Sequence, residues 1–183
     1  MQQDFKKLLI DCRNFERKAQ RQMVDLLAPF LSSICRRYES PQHCAQDAVQ
    51  EALILIFNHI EDCQSEEKPF MNWCKRIAIN VSLDKFRKKN MMFETGEMPY
   101  TDPSLEPEVF NHFGIEEILR ALNMIPENQK MVFNLYVIDG YSHAEIGKML
   151  DLKESSARTL LVRARTTLQG IINKKEILSN EYR

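Results

Sequence analysis

Apolar residues recur at spacings of three and four from Asp4 to about Tyr38: Leu8, Leu9, Cys12 and Phe15, then Met23, Leu26, Leu27, Phe30, Leu31 and Ile34. That is the period of a helix with one buried face. Ser40-Pro41 interrupts it. A second helix is predicted from roughly Gln42 to Ile60, with Ala45, Val49, Ala52, Leu53, Ile56 and Ile60 on one face and Asp47, Gln50, Glu51, Ile54 and Asn58 on the other. A polar loop, Glu61 to Lys68, ends at Pro69, a good first-turn residue, and a third helix is predicted to run to about Lys89. Its core side carries Phe70, Cys74, Ile77, Ala78 and Val81. Trp73, Arg76, Asn80 and Arg87 fall close together on a neighbouring side.

The periodicity then lapses. Asn90 to Gly114 contains Pro99, Pro103 and Pro107 and reads as an extended linker. Helix resumes over Ile115 to Asn123 with Ile118, Leu119 and Leu122. Pro126 opens another through Met131, Val132, Leu135 and Tyr136, which Asp139-Gly140 ends. Ser142 is a good N-cap, with Glu145 three residues on completing a capping box for a short helix to Leu150 that buries Ile146, Met149 and Leu150. A turn, Asp151 to Glu154, leads to a further capped helix starting near Ser155. Two short helices across such a turn predict a helix-turn-helix. In the second of them Ala157, Leu161, Ala164 and Leu168 form one narrow inward stripe. Ser155, Thr159, Val162 and Thr166 lie opposite, flanked by Ser156, Arg158 and Arg163.

Composition agrees with helix. Only 5 of 183 residues are glycine, and alternating apolar and polar runs are rare. The expected fold is all-α: an N-terminal helical bundle over 1–90 and a C-terminal helix-turn-helix domain over 115–183, joined by an acidic, flexible linker over 91–114. No stretch approaches the roughly 18 apolar residues of a membrane span, and the N-terminus lacks the apolar core of a secretion signal. Membrane insertion is not expected, and a cytoplasmic location is.

The net charge of −1 hides a patterned distribution. Residues 91–114 carry Glu94, Glu97, Asp102, Glu106 and Glu108 and no Lys or Arg. Lys75, Arg76, Lys85, Arg87, Lys88 and Lys89 face a single acid, Asp84, in one segment. Lys153, Arg158, Arg163, Arg165, Lys174 and Lys175 face only Glu154 in another. Two basic islands separated by an acidic bridge suit a polyanionic partner touched at two places.

Catalysis finds no support. A nucleophile elbow and a phosphate loop are absent from the sequence, and His43, His59, His112 and His143 are scattered. Cys12, Cys35, Cys44, Cys63 and Cys74 are odd in number and lack CxxC spacing. Together with His43 they match no common zinc template, so reduced, mostly buried thiols are expected, with no metal and no cofactor. The helix from Ser155 offers donors among small residues, which permits close approach to a major groove. On the third helix an aromatic ring, guanidinium groups and an amide make a surface able to stack on an unpaired base and hold its phosphate. For Trp73 alone a core position is equally consistent.

The residues Asp47-Ala48-Val49-Gln50-Glu51-Ala52, then Phe70-Met71-Asn72-Trp73-Cys74-Lys75-Arg76-Ile77-Ala78-Ile79-Asn80 and Asp84-Lys85-Phe86-Arg87-Lys88, resemble the second conserved region of bacterial RNA polymerase sigma factors of the extracytoplasmic-function (ECF) type. Ile125-Pro126, Gly140-Tyr141-Ser142-His143-Ala144-Glu145-Ile146-Gly147 and Arg163-Ala164-Arg165-Thr166-Thr167-Leu168 resemble their fourth region. The resemblance implies a dissociable subunit that binds core RNA polymerase and directs initiation. Asp47, Gln50, Glu51 and Ile54 would dock on the clamp coiled coil of the largest subunit, with the flap as a second contact. Trp73, Lys75, Arg76, Asn80, Arg87 and Lys88 would meet the minus-ten element, with Asn80 and the loop Asp62 to Pro69 capturing a flipped base. Ser155, Ser156, Arg158, Thr159, Val162, Arg163 and Thr166 would read the minus-thirty-five duplex. An anti-sigma factor is a further partner the resemblance suggests.

Two positions depart from the family pattern. Leu160 stands where many relatives have a basic or polar residue, and Ala157 where Val is common, which shifts readout toward Ser155, Ser156, Arg158 and Thr159. The acidic linker matches the charge of a nucleic-acid strand and is a candidate to occupy a basic channel of the polymerase. The alternative reading is a stand-alone helix-turn-helix regulator with an N-terminal dimerisation or sensing domain, which would bind a palindromic operator without polymerase.

Overall fold

The computed structural model describes residues 2–38, 44–63, 66–89 and 120–181. Among these every regular element is helical, and no helix is long and apolar enough to cross a membrane. The chain divides into two compact units, Met1–Met91 and Met92–Arg183. The linker expected over 91–114, the Ser40-Pro41 interruption and the helix start at Ile115 to Leu119 lie outside the described residues.

In the first unit α1 (Gln2–Arg13) and α2 (Arg17–Cys35) replace the single periodic stretch expected from Asp4 to Tyr38. The break is a left-handed cap. Phe15 has φ 59°; its N–H reaches the Cys12 carbonyl at 3.1 Å, and the Glu16 N–H reaches Asp11 at 3.0 Å, satisfying the last carbonyls of α1. Glycine usually fills such a position. An aromatic residue there hides the stop from any pattern search, so the apolar period runs on across it.

Helix α2 turns Ala19, Met23, Leu27, Leu31, Ile34 and Cys35 inward, and α3 (Ala45–Asn58) contributes Ala45, Ala48, Ala52 and Ile56. Three alanines on the buried face let α3 lie close to α2 and α4 (Glu67–Lys89), which pack on it. Val49 and Leu53, expected in the core, sit at its margin, half-buried. Helices α2 and α4 each pack against the other three. Besides the expected Phe70, Cys74, Ala78 and Val81, α4 buries Ile79, Ser82, Leu83 and Phe86, whereas Ile77 is half-buried. Ser82 is accommodated by donating its hydroxyl to the Ala78 carbonyl at 2.8 Å.

In the second unit helical residues 120–122 precede α5 (Glu127–Phe133), with Pro126 at its N-cap. The expected α-helix through Tyr136 instead widens to a π turn over Asn134–Ile138, in which the Asp139 N–H bonds to the Asn134 carbonyl at 2.9 Å. Gly140, at φ 79°, reverses the chain. Helix α6 (His143–Leu150) begins with the expected capping box, the Ser142 N–H donating to Glu145 Oε2 at 2.8 Å and the Glu145 N–H to Ser142 Oγ at 3.3 Å. Asp151, in the left-handed region, ends it, and the Leu152 N–H closes on the Gly147 carbonyl at 2.8 Å.

Helix α7 (Glu154–Glu181) packs against α5 and α6. It starts within one residue of the expected Ser155, and its first-turn acid is Glu154, favourable at a helix N-terminus. Ala157, Leu161, Ala164 and Leu168 are buried as expected, and Leu160 and Ile172 join them.

Candidate nucleic-acid interface

Three outward surfaces follow from these elements. On α3 the stripe Asp47, Gln50, Glu51, Ile54 and Asn58 is exposed along its length, with Ile54 61% accessible. An accessible isoleucine among acids and amides fits a partner with an apolar contact ringed by donors.

On α4 Trp73, Arg76 and Asn80 lie along one side, Arg76 and Asn80 exposed and Trp73 half-buried. The indole leans on Phe70 with ring centroids 5.8 Å apart at 45°, and Phe70 in turn meets Phe5 of α1 at 5.4 Å. Trp73 is therefore packed on Phe70 and still partly accessible. At about 100° per residue Lys75 falls on the far side of α4, half-buried, so the backbone does not bring it to the Trp73 side. Asp84, which was not among the residues predicted for this surface, shares that side and is exposed. The side chains of Arg87 and Lys88 lie outside the described residues.

On α7 Ser155, Arg158 and Thr166 are exposed, and Ser156, Thr159, Val162 and Arg163 are half-buried. Leu160 is buried and cannot reach a groove. Thr159 donates its hydroxyl to the Ser155 carbonyl at 3.0 Å, and Thr166 donates to Val162 at 3.1 Å. Their protons are committed to the helix, so toward a base edge these threonines offer a lone pair and a methyl group. Those suit an exocyclic amine or the thymine methyl. Arg158 supplies the fork, held 3.2 Å from Glu154 in a half-exposed pair.

His143, at the first turn of α6, stacks on Tyr136 at 4.4 Å and 16°. Burial, then the positive charges of Arg158 and Arg165 against the opposing Glu154, holds its pKa below the usual value. Its Nδ1 is buried with no hydrogen-bond partner among the described residues. In the sequence His143 belongs to the Gly140 to Gly147 motif with no role of its own; the fold brings it under the influence of Glu154, Arg158 and Arg165 of α7.

The five cysteines are free, and all but Cys44 are buried. Burial pushes the Cys74 thiol up to about 12 and Cys12 up to about 11. These are packing residues, far from nucleophilic at neutral pH.

Residues 23–91 match the family model for sigma-70 region 2, and residues 115–168 match the model for sigma-70, region 4. The chain is 25% identical to the ECF RNA polymerase sigma factor SigW of Bacillus subtilis (strain 168), over 92% of this chain and 97% of that protein. It is 26% identical to the ECF RNA polymerase sigma-E factor of Escherichia coli (strain K12), over 76% of this chain and 79% of that protein. Its fold resembles that of the sigma factor RpoE solved in complex with the anti-sigma factor NepR from Bartonella quintana. That match has a TM-score of 0.51 and 19% identity, covering 84% of this chain and 96% of the other.

Proposed function

This chain belongs to the sigma-70 family as an RNA polymerase sigma factor of the ECF type and directs promoter-specific transcription initiation, and from that premise we propose how its surfaces divide the work. The first unit docks the α3 stripe Asp47, Gln50, Glu51 and Ile54 on the clamp coiled coil of core polymerase. It presents Trp73, Arg76 and Asn80, extended by Arg87 and Lys88, to the minus-ten element. The second unit lays the Ser155 to Thr166 face of α7 in the major groove of the minus-thirty-five duplex and meets the flap. The acidic residues of 91–114 join the two.

In this reading the protein is a cytoplasmic binding subunit rather than a catalyst. Strand opening then draws on binding: extruding a base costs a few kcal/mol of unstacking, which stacking on an aromatic platform, about 1–3 kcal/mol per base, offsets. An anti-sigma factor that covered the α3 stripe or the α7 face would hold the chain inactive. The observation that carries this reading is the pair of family regions, in order, on two separate helical units, each with a polar face turned outward.

Run-off transcription from a genomic promoter library, with core polymerase alone and with this protein added, tests it. Promoter-specific transcripts appearing only with the protein are expected. Tight binding of the isolated chain to palindromic operators, with no change in transcription by polymerase, would overturn it in favour of a stand-alone regulator.

A further inference from the structure

We propose that Arg13 is a positioning residue for the loop after α3, setting how selectively the chain reads the unpaired minus-ten base; this rests on the reading of that loop as the base-capturing element. Arg13 is the last residue of α1, and its side chain crosses 47 to 50 positions of sequence. Its Nε donates to the Ile60 carbonyl at 3.1 Å, and its Nη2 donates to the Cys63 carbonyl at 2.7 Å and lies 3.6 Å from Cys63 Sγ. Cys63 Sγ donates back to the Ile60 carbonyl at 2.9 Å.

The two anchored residues are buried, whereas Glu61 and Asp62 between them are exposed. Asp62 is held over its own turn, its N–H on the His59 carbonyl at 3.1 Å and its carboxylate 3.5 Å from His59 Nδ1. One guanidinium thus pins both feet of a turn whose tip faces solvent at the entry to the loop. A planar fork with fixed donor directions can span two carbonyls; an ammonium on a flexible stem is a single point of attachment.

The same helix also buttresses the α4 surface, because Phe5 packs on Phe70 and Phe70 on Trp73. Helix α1 lies before residue 23, where the match to sigma-70 region 2 begins.

The test uses the full chain with core polymerase on a promoter library randomised across the minus-ten element, comparing wild type with Arg13→Ala, Arg13→Lys and Asn80→Ala. Thermal melts and core-binding affinities accompany each. The Arg13 variants are expected to lower discrimination between favoured and disfavoured bases about tenfold, about 1.4 kcal/mol, with core affinity unchanged. If Arg13→Ala fails to fold, Arg13→Lys decides, since it keeps the charge and the aliphatic stem.

A wild-type base ranking in the Arg13 variants overturns the proposal. So does a loss of activity that is equal on every promoter and tracks the melting temperature, the mark of a purely structural role. Asn80→Ala reports separately on the reading beneath: if it leaves the ranking intact while the Arg13 variants change it, the assignment of the α4 face falls and the role of Arg13 stands.

Discussion

Gly147 and Leu152 approach so closely that a Cβ on the glycine would lie 2.8 Å from the leucine carbonyl oxygen, with the Glu154 nitrogen at 3.4 Å. Both atoms are backbone and cannot swing aside. Helix α6 and the start of α7 are in contact at this point because residue 147 has no side chain. Gly147→Ala is expected to destabilise the second unit by about 1–3 kcal/mol and to weaken binding to upstream duplex, as the turn opens. Denaturant melts and duplex titrations with polymerase present measure the two effects.

Asp47 and Ile54 are exposed on α3, away from its buried face. Asp47→Ala and Ile54→Ala should each leave folding stability within about 0.5 kcal/mol of wild type. Affinity for core polymerase should fall at least about tenfold, or about 1.4 kcal/mol. Fluorescence anisotropy with labelled protein resolves that difference; unchanged affinity in both variants would remove α3 from the docking surface.

Arg158 pairs with Glu154 across one helical turn, both partly exposed, an arrangement worth about 0.3–0.5 kcal/mol at most. Arg158→Ala should therefore fold normally. A fork set on a base edge contributes about 1–3 kcal/mol of discrimination, so preference at one upstream position should relax in a selection from randomised minus-thirty-five elements. An unaltered selection and affinity would show that α7 is aimed differently.

The pH dependence of the second unit should carry the signature of His143. Its pKa is held below 6.5 in the fold, so the neutral form is favoured there. The stability this contributes is complete above about pH 6.5 and is lost as pH falls through the lower folded value. His143→Phe keeps an aromatic ring on Tyr136 and removes the titration. Chemical melts between neutral pH and the acid side should show a smaller acid loss in the variant; identical profiles would mean that another group dominates.

Periodicity made much of this architecture legible, and the residues show where it stops. Ala157, Leu161, Ala164 and Leu168 fall on one line of a helical wheel and are buried, because burial on a single straight helix is a local property of spacing. The capping box at Ser142 and Glu145 was equally readable, since both partners sit within one turn. Phe15 was not: a left-handed cap filled by phenylalanine bears none of the glycine that signals such a stop. The π turn at Asn134–Ile138 adds one residue to a helical turn without any marker in composition. Leu160 was read as a departure on the reading helix, whereas that helix is wide enough in its apolar arc to bury it. Arg13 lies beyond any pattern argument, for its partners Ile60 and Cys63 stand 47 and 50 positions away and are brought to it only by the fold. Asp84, in contrast, was available on the wheel beside Asn80.

Helix α7 both lines the core of its unit and carries its outward residues, and this joins two properties that many proteins keep apart. Turning the face that would read the groove by even a fraction of a turn would drag Ala157, Leu161 and Leu168 out of their seats. If that face reads duplex as proposed, a change of target sequence comes from exchanging side chains on a fixed rod rather than from turning the rod within its unit. Ser155, Arg158, Thr159 and Thr166 lie outside the core and can be exchanged without unseating it, while the angle at which they are presented is locked by the same residues that keep the unit folded.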